Sequence, residues 1–156
     1  MVTRKVHRNR ELLGMRNALA SGLVAALALV LTTAVHAATI TVTTLNDPTG
    51  PSGTCSLRDA ITAANTMTAT NGCAAGTGND TINFSVIGTI ALASTLPTIN
   101  DRNLTIKGLA SPGITIDGSN GGYPNSVQVM QVASGATLNL NKLTIANGGS
   151  FGSGGG

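Results

Sequence analysis

The first part of the chain beyond residue 37 changes its hydrophobic period once. Ala38–Leu45 reads Ala-Thr-Ile-Thr-Val-Thr-Thr-Leu, with Ile40 and Val42 alternating against Thr39, Thr41 and Thr43. Period-two alternation of β-branched residues predicts a strand with one buried face. The stretch Asn46-Asp47-Pro48-Thr49-Gly50-Pro51-Ser52-Gly53 ends it, because nearly every residue there favours a turn. The period then lengthens. Leu57, Ile61 and Ala64 fall at i, i+4 and i+7, on one helical face, and Ala60 widens the stripe. Ser56 stands where an N-cap belongs, with Asp59 three residues on in a capping-box-like position. The pattern predicts a short amphipathic helix over Ser56–Asn65, with Asn65 as its stop.

From Asp80 onward short apolar pairs recur, separated by Gly, Asn, Asp and Pro. They are Ile82/Phe84, Ile90/Leu92, Leu104/Ile106, Ile114/Ile116, Val129/Val132, Leu138/Leu140 and Leu143/Ile145. Asn103–Gly108 resembles Lys142–Gly148, and Ile90, Ile114 and Leu138 are spaced 24 and 24 apart. Short strands at a spacing in the twenties predict a coiled solenoid. The expected fold is therefore all-β, a right-handed parallel β-helix of about three coils between Thr81 and Gly148, with a short N-terminal capping helix. An antiparallel sandwich is the rival, disfavoured because its strands are commonly five to six residues long and joined by hairpins. The expected organisation is 1–37 leader, 38–79 cap, 80–148 coils and 149–156 a Gly/Ser-rich tail. A tail of this kind caps nothing, so the reading expects the chain to be truncated at its C-terminus. Further coils, or another chain, would cover the open end.

Charge alters this picture only at the front. Arg4, Lys5, Arg8, Arg10 and Arg16 face one acid, Glu11, and precede the apolar run Gly22–Leu31 and the small-residue exit Val35-His36-Ala37. This is the layout of a secretory signal peptide, with cleavage expected after Ala37. An uncleaved anchor is the alternative, but the ten-residue apolar run is short of the ~20 needed to span, so no membrane span is expected after cleavage. The expected location is secreted, cell-surface or outer-membrane. Both histidines, His7 and His36, depart with the leader. Residues 38–156 then hold two Lys, two Arg and five Asp. Such a chain has no basic footprint for nucleic acid. Cys55 and Cys73 are the only cysteines. In an oxidising compartment they are expected to pair; a metal site lacks partner ligands.

The segment Cys55-Ser56-Leu57-Arg58-Asp59-Ala60-Ile61 resembles the signature of the CSLREA-motif proteins, with Asp59 where the family name has Glu. The preceding strand, Ala63-Ala64-Asn65, Cys73 and Gly78–Phe84 follow in the order associated with that family, and the resemblance covers about residues 38–148. It implies exported bacterial β-helix proteins, similar in texture to polymorphic outer-membrane and autotransporter-like adhesins. It implies fold and location, and no defined reaction.

Candidate chemistry is sparse. With no histidine left after cleavage, a Ser-His-Asp arrangement is excluded from residues 38–156. Lys107 and Lys142 lie beside strand repeats, where solvated faces are the default. Asp80, Asp101 and Asp117 are the carboxylates available for glycoside cleavage or calcium, yet each sits at turn-like punctuation. Only Phe84 and Tyr123 could stack on a sugar, and Phe84 reads as core. Arg58 and Asp59 read as a surface charge and a helix cap rather than a recognition spot. No catalytic, cofactor or metal residue is therefore assigned, and no cofactor is expected. The expected function is non-enzymatic: part of an adhesin-like surface or secreted protein whose ligand is an unknown protein or polysaccharide. The alternative is the front of a pectate-lyase-like, polysaccharide-active enzyme with its active site in further coils.

Overall fold

The computed structural model describes residues 36–119 and 126–149. The leader up to Val35, Tyr123 and most of the tail lie outside the described residues. The elements in chain order are β1 (Thr39–Val42), α1 (Leu57–Thr66), β2 (Thr81–Phe84), β3 (Gly88–Ala91), β4 (Leu104–Lys107), β5 (Ile114–Asp117), β6 (Leu138–Asn141) and β7 (Leu143–Ala146). One sheet has the order β1-β2-β4-β6, the other β3-β5-β7, and every pairing within them is parallel.

This corrects the expected all-β, three-coil β-helix. The strands form two separate sheets of four and three strands, neither sheet closes on itself, and a ten-residue helix belongs to the fold. The arrangement is α/β. The antiparallel rival fails as well, since the ladders are parallel throughout. The error lay in the repeat. Ile90 pairs with Ile116, whereas Leu138 belongs to the other sheet and pairs with Leu104. The 24-residue interval therefore joined positions that do not stack. True intervals are uneven. Thr39 meets Thr81, 42 residues on, and Thr81 meets Thr105, 24 on, while Leu104 meets Leu138, 34 on. The similar segments around β4 and β7 also lie in different sheets.

The alternation itself determines which residues face inward. In-register parallel pairing places like on like, so inward side chains stack into columns. Ile40, Ile82 and Ile106 form one column, with Val42 against Phe84 beside it. Ile90 and Ile116 form a second in the other sheet. All of these are buried, and they merge with Leu92, Leu96, Ile99, Leu104 and Ile114 into one core. Leu96 and Ile99 were not singled out by the apolar-pair pattern. Ile99 enters through an isolated parallel bridge to Val132, with Ile99 N–H donating to Gln131 O at 2.8 Å and Ala133 N–H to Ile99 O at 2.9 Å.

The two ends of the stack differ. At the first strand, α1 packs its Leu57, Ala60, Ile61 and Ala64 against the core. At the last strands the inward residues are open: Leu140 is 45% and Ile145 41% exposed, against 0% for their neighbours Ile106 and Ile116. Truncation at the two ends of a column should therefore differ in effect. Ile106→Ala should cost about 3 kcal/mol in denaturant-melt stability, in the range for a buried Ile→Ala. Ile145→Ala should cost under about 1 kcal/mol. Equal losses would contradict the placement of these columns.

Candidate functional site

The segment Cys55–Ile61 folds as the start of α1, and each of its side chains has a traceable task. Cys55 and Cys73 form a disulfide between two buried positions. It ties the helix start to the returning loop, where Thr70 and Cys73 exchange backbone hydrogen bonds. Cys55 is also held to the first strand's exit: Thr43 N–H donates to Cys55 O at 2.9 Å, and Cys55 N–H to Thr43 Oγ1 at 3.2 Å.

Ser56 is the N-cap. Its backbone is extended, and its Oγ accepts from Asp59 N–H at 3.1 Å, satisfying one of the orphan donors of the first turn. The same hydroxyl donates to Asp59 Oδ2 at 2.6 Å, while Asp59 Oδ1 accepts from Asn71 Nδ2 at 2.8 Å. Asp59 thus does more than cap: it fastens the disulfide loop to the helix. Its carboxylate also lies in the first turn, where the helix dipole favours negative charge.

Arg58 is corrected from a surface charge to an internal clamp. Its Nε donates to Asp47 Oδ1 at 2.9 Å and its Nη2 to Asp47 Oδ2 at 2.7 Å, a two-pronged pair with side chains only 15% and 2% exposed. Two further N–H groups, on Nη2 and Nη1, reach Ser94 O and Thr95 O, both at 2.8 Å. Asp47 Oδ2 in turn accepts from Ala93 N–H at 2.9 Å. One guanidinium therefore joins the turn after β1, the helix and the loop after β3. The planar fork of arginine suits two-pronged carboxylate recognition in a way lysine does not.

Asn65 is corrected in the same sense. The helix runs one residue past it and ends at Met67, whose left-handed backbone (φ 52°) returns its N–H to Ala64 O. Asn65 reaches sideways instead. Its Nδ2 donates to Thr98 O at 2.8 Å, and its Oδ1 accepts from Asn100 N–H at 2.8 Å and Asp101 N–H at 3.2 Å.

The three carboxylates considered for chemistry separate into two places. Asp80 and Asp101 come together, with Asp80 N–H donating to Asp101 Oδ2 at 3.3 Å, and both residues are buried. Their oxygens are occupied by the protein. Asp80 accepts from Thr77 N–H, Thr77 Oγ1, Gly78 N–H and Ala38 N–H at 2.9–3.3 Å. Gly76 makes this approach possible, since a Cβ there would run into Asp80 Oδ2 and the Ala64 backbone. Burial, aided by the nearby Asp80 charge, raises the Asp101 pKa above the ordinary carboxylate value despite the backbone N–H groups that oppose it. Asp117 stands apart in β5. Hydrogen bonds from Asn147 Nδ2 at 3.0 Å and Ser119 N–H at 2.9 Å hold its pKa below the ordinary value. Lys107 and Lys142 are exposed. Among the described residues, no three His, Cys, Asp or Glu side chains come together as metal ligands, and no helix is long and apolar enough to cross a membrane.

The outward faces form the most extended chemical feature. Thr39, Thr81, Thr105 and Asn139 lie in register across the first sheet, and Thr89, Thr115 and Thr144 across the second. Successive members sit at the ~4.8 Å spacing of paired strands. No family model, curated protein or solved structure matches the chain.

Replacing Arg58 with Ala should lower stability by about 3 kcal/mol, because it strands the Asp47 carboxylate in a buried position. Arg58→Lys should recover only part of that loss. Chemical denaturation of the three proteins tests this, and a lysine variant as stable as wild type would refute the two-pronged geometry.

Proposed function

We propose that this chain is an exported, non-catalytic bacterial protein, adhesin-like in role, at the cell surface or secreted. Its task is to present a rigid polar face to a protein or polysaccharide ligand. The observation that carries the reading is the pair of outward Thr/Asn ladders. Hydroxyl and amide groups held at regular spacing on paired strands give a pre-ordered array of donors and acceptors, which lowers the ordering cost of binding a polar ligand.

Three further features support it. The basic, apolar and small-residue sections of the first 37 residues suit export. The Cys55–Cys73 disulfide suits an oxidising compartment. The segment Cys55–Ile61 resembles the CSLREA-motif signature, whose members are exported surface proteins. The carbohydrate-cleaving alternative gains little from the carboxylates, because glycoside hydrolysis needs two that flank a substrate. Asp80 and Asp101 are instead buried and engaged by backbone donors.

Incubation of the purified protein with pectin and alginate tests the central point. No release of oligosaccharides is expected from either polymer. Release that is lost in Asp80→Asn or Asp117→Asn would overturn the non-catalytic reading.

A further inference from the structure

Asp80 is 1% exposed, and among the described residues no Lys or Arg pairs with it. Its neighbour Asp101 is a second buried carboxylate, so this corner gathers negative charge. A buried carboxylate is expensive unless it is hydrogen-bonded and paired. Backbone and hydroxyl donors satisfy its hydrogen bonds, but they bring no positive charge. One of those donors is Ala38 N–H, 3.2 Å from Asp80 Oδ1 and 3.0 Å from Thr77 Oγ1. The adjoining Ala37 and His36 are exposed and lie outside any strand. The bond between Ala37 and Ala38 is also the one at which the small-residue exit of the leader predicts cleavage.

We propose that Asp80, with Thr77, is a receptor for the new N-terminus: cleavage between Ala37 and Ala38 leaves an α-ammonium on Ala38 that pairs with the buried Asp80 carboxylate and locks β1 onto the stack. The step is hydrolysis by a leader peptidase. Water adds across the amide bond, Ala37 departs with the carboxylate, and Ala38 keeps the nitrogen and gains protons. The nitrogen already stands where the ion pair requires it. Two of its three hydrogens meet Asp80 Oδ1 and Thr77 Oγ1, and the third faces the space vacated by Ala37. Thr77 Oγ1 has a single proton and two facing acceptors, His36 O at 2.6 Å and Asp80 Oδ1 at 3.0 Å. Cleavage removes the first, leaving that proton to Asp80. The lock acts at a key place, because β1 is the edge strand that pairs with β2 and carries α1.

This inference rests on the export reading, and the test separates the two. The full chain is expressed with its own leader, and the exported protein is purified. Intact mass reports the N-terminus, which is expected to be Ala38. Thermal melts of wild type and Asp80→Asn are then compared from pH 6.5 to 10. An ammonium with a carboxylate partner has its pKa raised above the unfolded value of about 7.7–8.0. Its stabilisation is thus fully present below that value and lost as pH rises through the higher folded pKa. Asp101 is the other carboxylate at this corner, and Arg102, next to it in the chain, is exposed. Wild type should melt about 5 °C above the variant at pH 7, and the gap should narrow by pH 10 to what the hydrogen bonds from Thr77 and Gly78 alone sustain. A gap that does not change with pH refutes the ion pair while leaving cleavage intact. An N-terminus other than Ala38 refutes the cleavage itself. If Asp80→Asn does not fold, carbamylation of the wild-type α-amine by cyanate decides: about tenfold slower reaction in the native than in the unfolded protein is expected for a one-unit rise in pKa, and equal rates overturn the proposal.

Discussion

The Arg58 guanidinium holds the front of this molecule together. Two-pronged contact with Asp47, two backbone carbonyls after β3 and the Ala93 N–H on the same carboxylate bring three chain segments to one point. None of the three would be ordered by its own residues. The turn after β1 is rich in Pro and Gly, the loop at Ala93–Thr95 has no repeating hydrogen bonds, and a ten-residue helix is too short to be stable alone in water. Charge, directionality and burial combine in one side chain, and the helix can then lie on the first strand and cover the apolar columns beneath it.

The other fastenings repeat the same logic. Asp59 with Asn71 and the Cys55–Cys73 bridge tie α1 to the loop that follows it, and Asn65 with Thr98 and Asn100 ties it to the loop before β4. Polar side chains of one short helix therefore organise its surroundings, while its apolar face joins the core. At the opposite end, Leu140 and Ile145 stand exposed on strands whose predecessors are fully buried. The molecule is polarised along the stack, with a fastened front, an open back and outward ladders of Thr and Asn between them.

Local structure was legible in the sequence wherever it depends on period or on near neighbours. Alternation in Thr39–Thr43 marked β1, the i, i+4, i+7 spacing marked α1 within one residue, and Ser56 with Asp59 marked its cap. Architecture was misread because a solenoid was inferred from a spacing that joined residues that do not pair: Ile90 and Ile114 are out of register within one sheet, and Leu138 lies in the other. Register in parallel strands depends on the lengths of irregular connections, which side-chain period does not encode. The long-range roles of Arg58 and Asn65 were missed for a related reason. A charged or amide residue on a helix reads as solvent-facing unless its partner is known, and Asp47, Ser94 and Thr98 are up to 36 residues away. The one available hint was Asp47 itself, an acid inside a turn, and turn propensity alone accounts for an Asp there.

Native-state hydrogen exchange tests the clamp most directly. In Arg58→Ala, peptides spanning the turn at 44–53, the helix at 57–66 and the loop at 93–101 should lose protection together. Those spanning β4 and β5 should keep theirs, because their columns do not pass through Arg58. Loss confined to the helix, or spread evenly over all strands, would contradict the claim that this one side chain unites the front of the molecule.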